Sequence, residues 1–323
     1  MLNLIIPLYK GRATLPKALD SLVAQTKTMF LVTIVQDCDG EDYSDIISDY
    51  RRRGLHINLI QLPENVGPGL ARQAGIDSNP MCEFVMFLDA DDILCPEAVE
   101  TLSREIQRTG ADIIMGNLIV ERPHDPSVTL PSPTTPVQWL HAKIYRTKYL
   151  RDKGIRFLPE LRLNEDSYFN LVACNATDKF LRIEKELYLW RHNKQSLTRS
   201  KDESFFHRSW PQYVLSQVRG LKKLYELGTI KDTLLGATLN NIYTQMMKAI
   251  HLKEDMSVVL PHLKELAECE PLWEQLDGNR DVWEAIHKVL KASAIENDEM
   301  YFFAYRFIDW INMVRALKDD SDC

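Results

Sequence analysis

The sequence lacks several features that would assign it to a familiar class of protein. Its six cysteines show no CxxC spacing, so neither a zinc site nor a disulfide framework is indicated. No apolar run approaches the roughly 20 residues that cross a bilayer. Met1–Pro7 is too short for the hydrophobic region of a signal peptide and has no basic start. We therefore expect a cytoplasmic protein, with association at a membrane surface left open.

The sequence also has no excess of basic residues and no phosphate-binding motif of the form GxxxxGK[ST]. The net charge of −7 argues against a generally basic nucleic-acid binder and leaves room only for a local basic patch. The hydrophobic content of 45% is enough to fill a core, and 323 residues make one large domain or two smaller ones. Function has to be sought in local motifs.

The pattern of hydrophobic residues divides the chain into two parts. Strand-like runs alternate with helical patterns over about the first 120 residues, which predicts βαβ units and an α/β fold with a mostly parallel sheet and flanking helices. Arg122–Pro136 contains five prolines and is predicted to be a long functional loop, such as a lid. From Glu203 onward the spacing is helical. We predict an α/β domain over residues 1–202 and a helical domain over 203–323.

A cluster of carboxylates follows one apolar run. Phe84–Leu88 has the character of a buried strand and ends at Asp89-Ala90-Asp91-Asp92. In open α/β sheets, ligands bind beyond the carboxyl ends of the strands. Carboxylates at alternate positions of such a tip can share one hard cation. The competing interpretation is a helix N-cap, because a helical pattern begins near Pro96.

Three further motifs follow the first three predicted strands. Pro7-Leu8-Tyr9 places an aromatic ring where it could face a nucleobase, or it simply ends a strand. Asp37 can accept hydrogen bonds from a base edge or a ribose, or it belongs to an ordinary turn. Gly67 and Arg72 lie at the start of a helix, where backbone amides and a cation favour a phosphate.

Two charged motifs lie later in the chain. Glu165 and Asp166 could supply a general base, or they are acids at a helix N-terminus. Arg191 and His192 could contact a diphosphate or a metal, or they belong to a charged surface loop. Each motif is weak by itself. Because the carboxyl ends of parallel strands meet at one edge of a sheet, the strand-end motifs together predict a single site there.

At this point the sequence resembles the family 2 glycosyltransferases of the GT-A fold, over about residues 1–200. Two positions depart from the family pattern, since Gln36 replaces a frequent Asp and Gln73 a frequent Asn, although neither change removes a chemically required group. The matching segments are Ile5–Tyr9, Val35–Asp39, Glu64–Gly67 with Ala71-Arg72, Phe87–Asp92, Lys143–Arg146, Glu165-Asp166, and Arg191-His192 with Ser196 and Thr198.

The resemblance implies an inverting transferase that uses a nucleotide-diphosphate sugar donor and a divalent cation, Mn²⁺ or Mg²⁺. It implies that Asp91 ligates the metal, that Asp89 lies at the metal through the ribose or a metal-bound water, and that His192 is an additional metal or diphosphate contact. It also implies that Asp166 is the catalytic base, assisted by Glu165. The donor-binding residues that it implies are Pro7, Leu8, Tyr9, Asp37, Gly67, Arg72, Asp89, Ala90, Lys143 and Arg191.

The acceptor is not readable from these residues. The resemblance implies a glycan or glycolipid precursor. Residues 203–323 carry no resemblance, and we expect them to bind the acceptor or to mediate assembly. A hydroxymethylated base of DNA is the alternative acceptor, if Arg208, Arg219, Lys222 and Lys223 form a basic patch rather than a solvated helix face. A nucleotidyltransferase and a non-catalytic nucleotide-sugar-binding protein are the competing classes. The segment Tyr9–Arg12 is a poor match to the glycine-rich loop of the former.

Overall fold

The computed structural model describes residues 1–122, 125–132, 136–191, 203–278, 283–284 and 300–318. The chain divides into two compact units, Met1–Lys201 and Asp202–Cys323, called here the N-terminal unit and the helical unit. The division lies one residue before the domain boundary that the sequence predicts.

The N-terminal unit alternates strands with helices. Val32, Ile34 and Val35 are fully buried in its second strand, as expected of a strand covered on both faces. The elements in chain order are β1 (Leu2–Leu8), α1 (Leu15–Val23), β2 (Phe30–Gln36), α2 (Ser44–Arg52), β3 (His56–Gln61), α3 (Pro68–Ser78), β4 (Phe84–Phe87), β5 (Ile93–Leu94), α4 (Ala98–Thr109), β6 (Ile113–Arg122), β7 (Asp125–Pro131), β8 (Lys143–Arg146), α5 (Thr147–Asp152), α6 (Glu165–Asn175) and β9 (Phe180–Trp190).

The strands form one mixed sheet in the order β3-β2-β1-β4-β8-β6-β9-β5, with β7 paired to β6. The first four strands of this order are parallel, so their carboxyl ends share one edge. β8 is antiparallel to both β4 and β6, and β5 is antiparallel to β9. The predicted α/β architecture is confirmed, although the sheet is wholly parallel only in its first half.

The predicted loop over Arg122–Pro136 is wrong for part of its length. Residues 125–131 form β7, which pairs antiparallel with β6 across a register shift between Glu121 and Arg122. Proline has no amide hydrogen to donate, so strands tolerate it at sheet edges and beside bulges. Among the described strands β7 pairs with β6 alone, and its prolines mark an edge strand instead of a loop.

Helix α3 packs directly on β1 through a glycine. A Cβ atom added at Gly75 would lie 2.5 Å from Ile5 Cγ2, a separation that real side chains do not tolerate. Beside this contact, the buried Asn3 donates from Nδ2 to the carbonyl of Gly75 over 3.0 Å. This close seating fixes the N-terminus of α3 at the carboxyl edge of the sheet, beside the tips of β1 and β4.

The helical unit has a core of its own, in which Trp210, Leu239 and Phe307 are buried. Within the described ranges, no helix combines the length and the hydropathy needed to cross a membrane. The helices are α7 (Glu203–Glu226), α8 (Asp232–His251), α9 (Leu260–Ala267), α10 (Glu270–Gly278) and α11 (Met300–Ala316).

The cations of α7 are largely neutralised by glutamates. Arg219 and Lys222 both pair with Glu265, at 2.9 and 3.4 Å, and Lys223 pairs with Glu226 at 3.1 Å. Three of the four cations that would form a DNA-binding patch are therefore engaged within the unit itself. This arrangement favours the interpretation of α7 as an ordinary charged helix face.

Candidate active site

The carboxylates after β4 lie at the carboxyl edge of the sheet, as the sequence predicts, and Asp92 anchors them. Asp92 is 1% exposed. Its Oδ2 accepts a hydrogen bond from the Tyr188 hydroxyl at 2.7 Å, and its Oδ1 accepts one from the Arg191 amide at 2.9 Å. The Asp92 amide closes the turn by donating to the Asp89 carbonyl at 3.0 Å. Asp89, Ala90 and Asp91 remain half-buried at the tip.

One group of side chains among the described residues has the geometry to hold a metal ion: Asp89, Asp92 and His141. His141 Nε2 lies 3.9 Å from Asp89 Oδ2 and 3.8 Å from Asp92 Oδ2. The group shares Asp89 with the ligand set that the resemblance implies, but it does not include Asp91. His192 lies outside the described residues. His141 was missed because nothing near it in sequence marks it as a ligand.

The electrostatics of this tip suit a divalent cation. Burial, together with the charges of Asp89 and Asp91, raises the pKa of Asp92 well above its usual range. Burial also acts to raise the pKa of Asp89, but the charges of Arg72 and His141 outweigh it, and the pKa is lowered. Three crowded carboxylates and an imidazole are ligands that Mn²⁺ accepts, and carboxylates alone suit Mg²⁺. The residues present therefore fit a divalent cation.

Arg72 joins this tip to the second acidic motif. Its guanidinium is buried and donates to Asp89 Oδ1 at 2.6 Å and to Glu165 Oε1 at 2.8 Å. The resemblance implies a contact with the donor, but the structure engages two of the nitrogens with protein carboxylates. The third, Nε, is buried with no hydrogen-bond partner in the described part of the chain.

Glu165 and Asp166 begin helix α6, after Asn164 in the left-handed conformation at a φ of 57°. Asp166 is half-buried, and its Oδ1 accepts the Ser167 amide at 2.8 Å. Burial raises the pKa of Asp166 despite the opposing charge of Arg72, and the charge of Asp89 adds to the increase. Asp166 is thus both an acid at a helix N-terminus and a carboxylate whose pKa is raised by the negative charge of Asp89.

Aromatic packing holds α6 on the sheet. Phe169 stacks on Phe157 with ring centroids 4.3 Å apart, and both rings meet Phe87 of β4 edge-on. The buried hydroxyl of Tyr145 donates to Asn170 Oδ1 at 2.7 Å. Because these contacts join α6 to β4 and β8, the two acidic motifs belong to one rigid assembly.

Asp37 holds the turn that precedes α3. Its two carboxylate oxygens accept the amides of Val66 at 2.7 Å and Gly67 at 2.9 Å, and the residue is 3% exposed. Gly67 has a φ of 87°, which favours glycine. Of the neighbouring predicted donor residues, Tyr9 is 51% exposed at the edge, whereas Leu8 is buried in the core.

The departure at Gln36 is explained by its contacts. Gln36 Nε2 donates to Asp39 Oδ1 at 2.6 Å, and Gln36 Oε1 accepts from Gln61 at 3.0 Å. Asp39 Oδ2 accepts the Lys10 amide at 2.7 Å and the Tyr43 hydroxyl at 2.7 Å. A neutral amide at position 36 therefore lets Asp39 hold the loop after β1 without a second carboxylate beside it.

We expect Asp37→Ala to lower the free energy of unfolding by about 2–3 kcal/mol, because two backbone amides lose a charged acceptor. Urea denaturation measures this. The control is Asp49→Ala, which removes an exposed partner of Arg52 and should change the stability by less than about 0.5 kcal/mol. Equal effects of the two substitutions would show that Asp37 does not hold the turn.

Two basic side chains that the resemblance implies as donor contacts, Lys143 and Arg191, have hydrogen-bond partners within the protein. Lys143 is buried, and its Nζ donates to the carbonyls of Val137, at 2.9 Å, and Trp139. It thereby holds the segment that carries His141. Arg191 Nε donates to Glu121 Oε1 at 3.0 Å. Buried lysine is tolerated here because backbone carbonyls accept its hydrogens. The donor-contact roles of Lys143 and Arg191 stay predictions.

Comparison with known proteins gives the following matches. The sequence model of the family described as "Glycosyl transferase family 2" matches residues 3–172. The chain is 27% identical over 206 residues to the poly(ribitol-phosphate) beta-N-acetylglucosaminyltransferase TarS of Staphylococcus aureus, covering 60% of this chain and 36% of TarS. It is 25% identical over 218 residues to glycosyltransferase EpsJ of Bacillus subtilis, covering 61% of this chain and 63% of EpsJ. The chain spans less than two thirds of either relative.

Solved structures match over nearly the whole chain. Residues 1–349 of S. aureus TarS in complex with UDP-GlcNAc superpose with a TM-score of 0.65 and 21% identity, covering 97% of this chain and 90% of that one. The mannosyltransferase PcManGT from Pyrobaculum calidifontis, in complex with GDP-Man and Mn²⁺, gives a TM-score of 0.53 and 12% identity, covering 92% and 86%. The predicted GT-A fold with a C-terminal helical region is thereby confirmed.

Proposed function

Since the chain belongs to glycosyl transferase family 2 and is therefore a glycosyltransferase, we propose that it transfers a sugar from a nucleoside-diphosphate donor to an acceptor hydroxyl with inversion. One observation carries this proposal. Buried Arg72 bridges Asp89, at the proposed cation end, and Glu165, beside the proposed base Asp166. A single in-line displacement needs a cation at the leaving diphosphate and a base on the opposite face of the anomeric carbon, and this bridge holds both proposed groups in one site.

The chain's own residues account for the proton. The Asp166 carboxylate accepts the proton of the acceptor hydroxyl while the hydroxyl oxygen bonds to the anomeric carbon and the bond to the diphosphate oxygen breaks. The electron pair of that bond leaves with the nucleoside diphosphate. Asp89, with Asp91 or with Asp92 and His141, would hold a divalent cation, which would neutralise the leaving charge as a Lewis acid. General-base assistance of this kind is worth about 10²–10⁴-fold.

We further propose a UDP-sugar as the donor and a polyol-phosphate polymer or another surface-glycan precursor as the acceptor. Support comes from TarS, whose name specifies poly(ribitol-phosphate) and whose structure is with UDP-GlcNAc. In this chain we propose that the nucleobase of the donor binds at the turn that Asp37 holds, beside the exposed ring of Tyr9. The helical unit is proposed to bind the acceptor or to mediate assembly.

The test incubates the protein and Mn²⁺ with UDP-glucose, UDP-GlcNAc, UDP-galactose or GDP-mannose, and measures release of nucleoside diphosphate. Each donor is combined with poly(ribitol phosphate), a glycolipid, or DNA containing hydroxymethylated bases. We expect one UDP-sugar to be consumed fastest with the polymer, and NMR to show an inverted anomeric centre in the product. Release of pyrophosphate would indicate a nucleotidyltransferase, and a failure to bind or consume any donor would indicate a non-catalytic protein or another substrate class.

A further inference from the structure

We propose that Arg72 is a positioning residue that acts through Glu165 to set the place of Asp166 relative to Asp89. The proposal rests on the proposed glycosyl transfer and adds to it a residue whose role differs from donor contact. Three elements meet at this guanidinium: α3 provides Arg72, the tip after β4 provides Asp89, and the start of α6 provides Glu165.

Both contacts are short, and the one between Arg72 and Glu165 is sheltered from water, whereas the Asp89 side chain is 35% exposed. Arg72 Nη2 lies 2.6 Å from Asp89 Oδ1, and Arg72 Nη1 lies 2.8 Å from Glu165 Oε1. The Arg72 side chain is 6% exposed and that of Glu165 is 10% exposed. Charge-assisted hydrogen bonds are stronger than neutral ones and are only weakly screened when buried. The planar guanidinium can therefore fix the separation of two carboxylates from distant parts of the chain.

A second contact of helix α3, through Gly69, restricts the position of the Glu165 side chain sterically. A Cβ atom added at Gly69, one turn before Arg72, would lie 2.8 Å from Glu165 Cγ and 3.0 Å from Glu165 Cβ. Only glycine leaves room for the Glu165 stem at this place. Helix α3 thus holds the Glu165 stem through Gly69 and its carboxylate through Arg72. Asp166 is the next residue of the chain, so its position follows from that of Glu165.

Lysine could not replace Arg72 in this role. An ammonium group is a single point of charge, whereas the guanidinium presents separate nitrogens to the two carboxylates. A displacement of about 1 Å in a catalytic group can cost about 10²-fold in rate. A positioning residue of this kind should therefore affect kcat and leave the affinity for the donor nearly unchanged.

The experiment measures steady-state transfer by the Mn²⁺-loaded protein with the best UDP-sugar, for Arg72→Lys, Glu165→Gln, the double variant, and Gly69→Ala. Calorimetric titration with UDP and Mn²⁺ gives the fraction of each protein that binds, and kcat is normalised to that fraction. We expect Arg72→Lys to lower kcat by about 10²-fold with KM for the donor changed by less than about threefold. The double variant should be no slower than the slower single variant, because both act through one contact.

The matched controls are Asp77→Asn and Arg156→Lys, which alter an exposed ion pair between α3 and the segment before α6 and should leave kcat unchanged. If Arg72→Lys does not fold, Gly69→Ala carries the same test, since it keeps every charge and displaces Glu165 sterically. A raised KM with unchanged kcat, or additive losses in the double variant, would overturn the positioning role and leave Arg72 as a donor contact. A wild-type protein that consumes no donor would instead overturn the proposed function, and this proposal with it.

Discussion

Asp166→Asn is expected to retain donor binding and to slow glycosyl transfer by about 10²–10⁴-fold, the usual range for loss of a general base. Asparagine keeps the size of the side chain and can still accept the Ser167 amide, which lies 2.8 Å from Asp166 Oδ1. It cannot accept the acceptor's proton. UDP binding by calorimetry and transfer by release of UDP, measured on the same preparation, separate the two effects.

The stability of this variant provides an independent check. Burial raises the pKa of Asp166 in the folded protein. A pKa that is higher in the folded than in the unfolded state means that ionisation disfavours the folded state. The carboxylate therefore destabilises the protein once the pH exceeds the pKa that Asp166 has in the unfolded chain. Asparagine does not ionise, and the free energy of unfolding of Asp166→Asn at neutral pH should therefore be unchanged or higher. The loss of transfer would then have no origin in unfolding.

The matched control for Asp166→Asn is Asp45→Asn. Asp45 also lies in the first turn of a helix, but it pairs with Arg12 on the surface. Both substitutions remove a negative charge from a helix N-terminus. If transfer by Asp166→Asn stayed within a few-fold of wild type while the protein folded normally, Asp166 would not be the base.

Asp89→Asn is expected to abolish the Mn²⁺-dependent stabilisation of the protein by UDP. Asp89 belongs both to the ligand set that the resemblance implies and to the group that the structure brings together. For wild type, UDP at 100 times its dissociation constant should add about 2.7 kcal/mol to the free energy of unfolding. Urea denaturation with UDP, with and without Mn²⁺, measures this increment, which should fall close to zero in the variant.

The control for Asp89→Asn is Asp77→Asn, which removes an exposed carboxylate from α3 and should keep the full increment. Two further variants decide between the ligand sets. Loss of the increment in His141→Gln but not in Asp91→Asn would assign the cation to Asp89, Asp92 and His141, and the reverse result would assign it to Asp89 and Asp91. If Asp89→Asn kept the full Mn²⁺-dependent increase in the free energy of unfolding, the cation would not bind at this tip.

Much of the site could be predicted because its residues lie at the ends of strands. The sequence places Asp37 and Asp89–Asp92 directly after apolar runs, and the parallel pairing of β1, β2 and β4 gathers these ends at one edge. The βαβ pattern requires that outcome, since successive parallel strands are joined by helices. Glu165 and Asp166 follow no strand, and the sequence marks them only as acids at the beginning of a helix, so their catalytic role stays a prediction.

Sequence patterns failed where a partner comes from a distant segment. His141 precedes β8 by two residues, and only the antiparallel pairing of β8 with β4 brings it to the carboxylates. Lys143 resembles a donor contact in sequence, yet its ammonium group is turned onto backbone carbonyls. The prolines after β6 predict a loop, although an edge strand tolerates them.

The sequence by itself determined the α/β pattern and the acidic strand tip, because local periodicity and the ends of strands are set by neighbouring residues, and the resemblance of its motifs indicated the family. Only the tertiary structure decided which carboxylates are joined by Arg72. Arg72 meets Asp89 and Glu165 across separations of 17 and 93 residues. Which carboxylates the buried guanidinium holds depends on the packing of α3 on β1 and β2 and against α6.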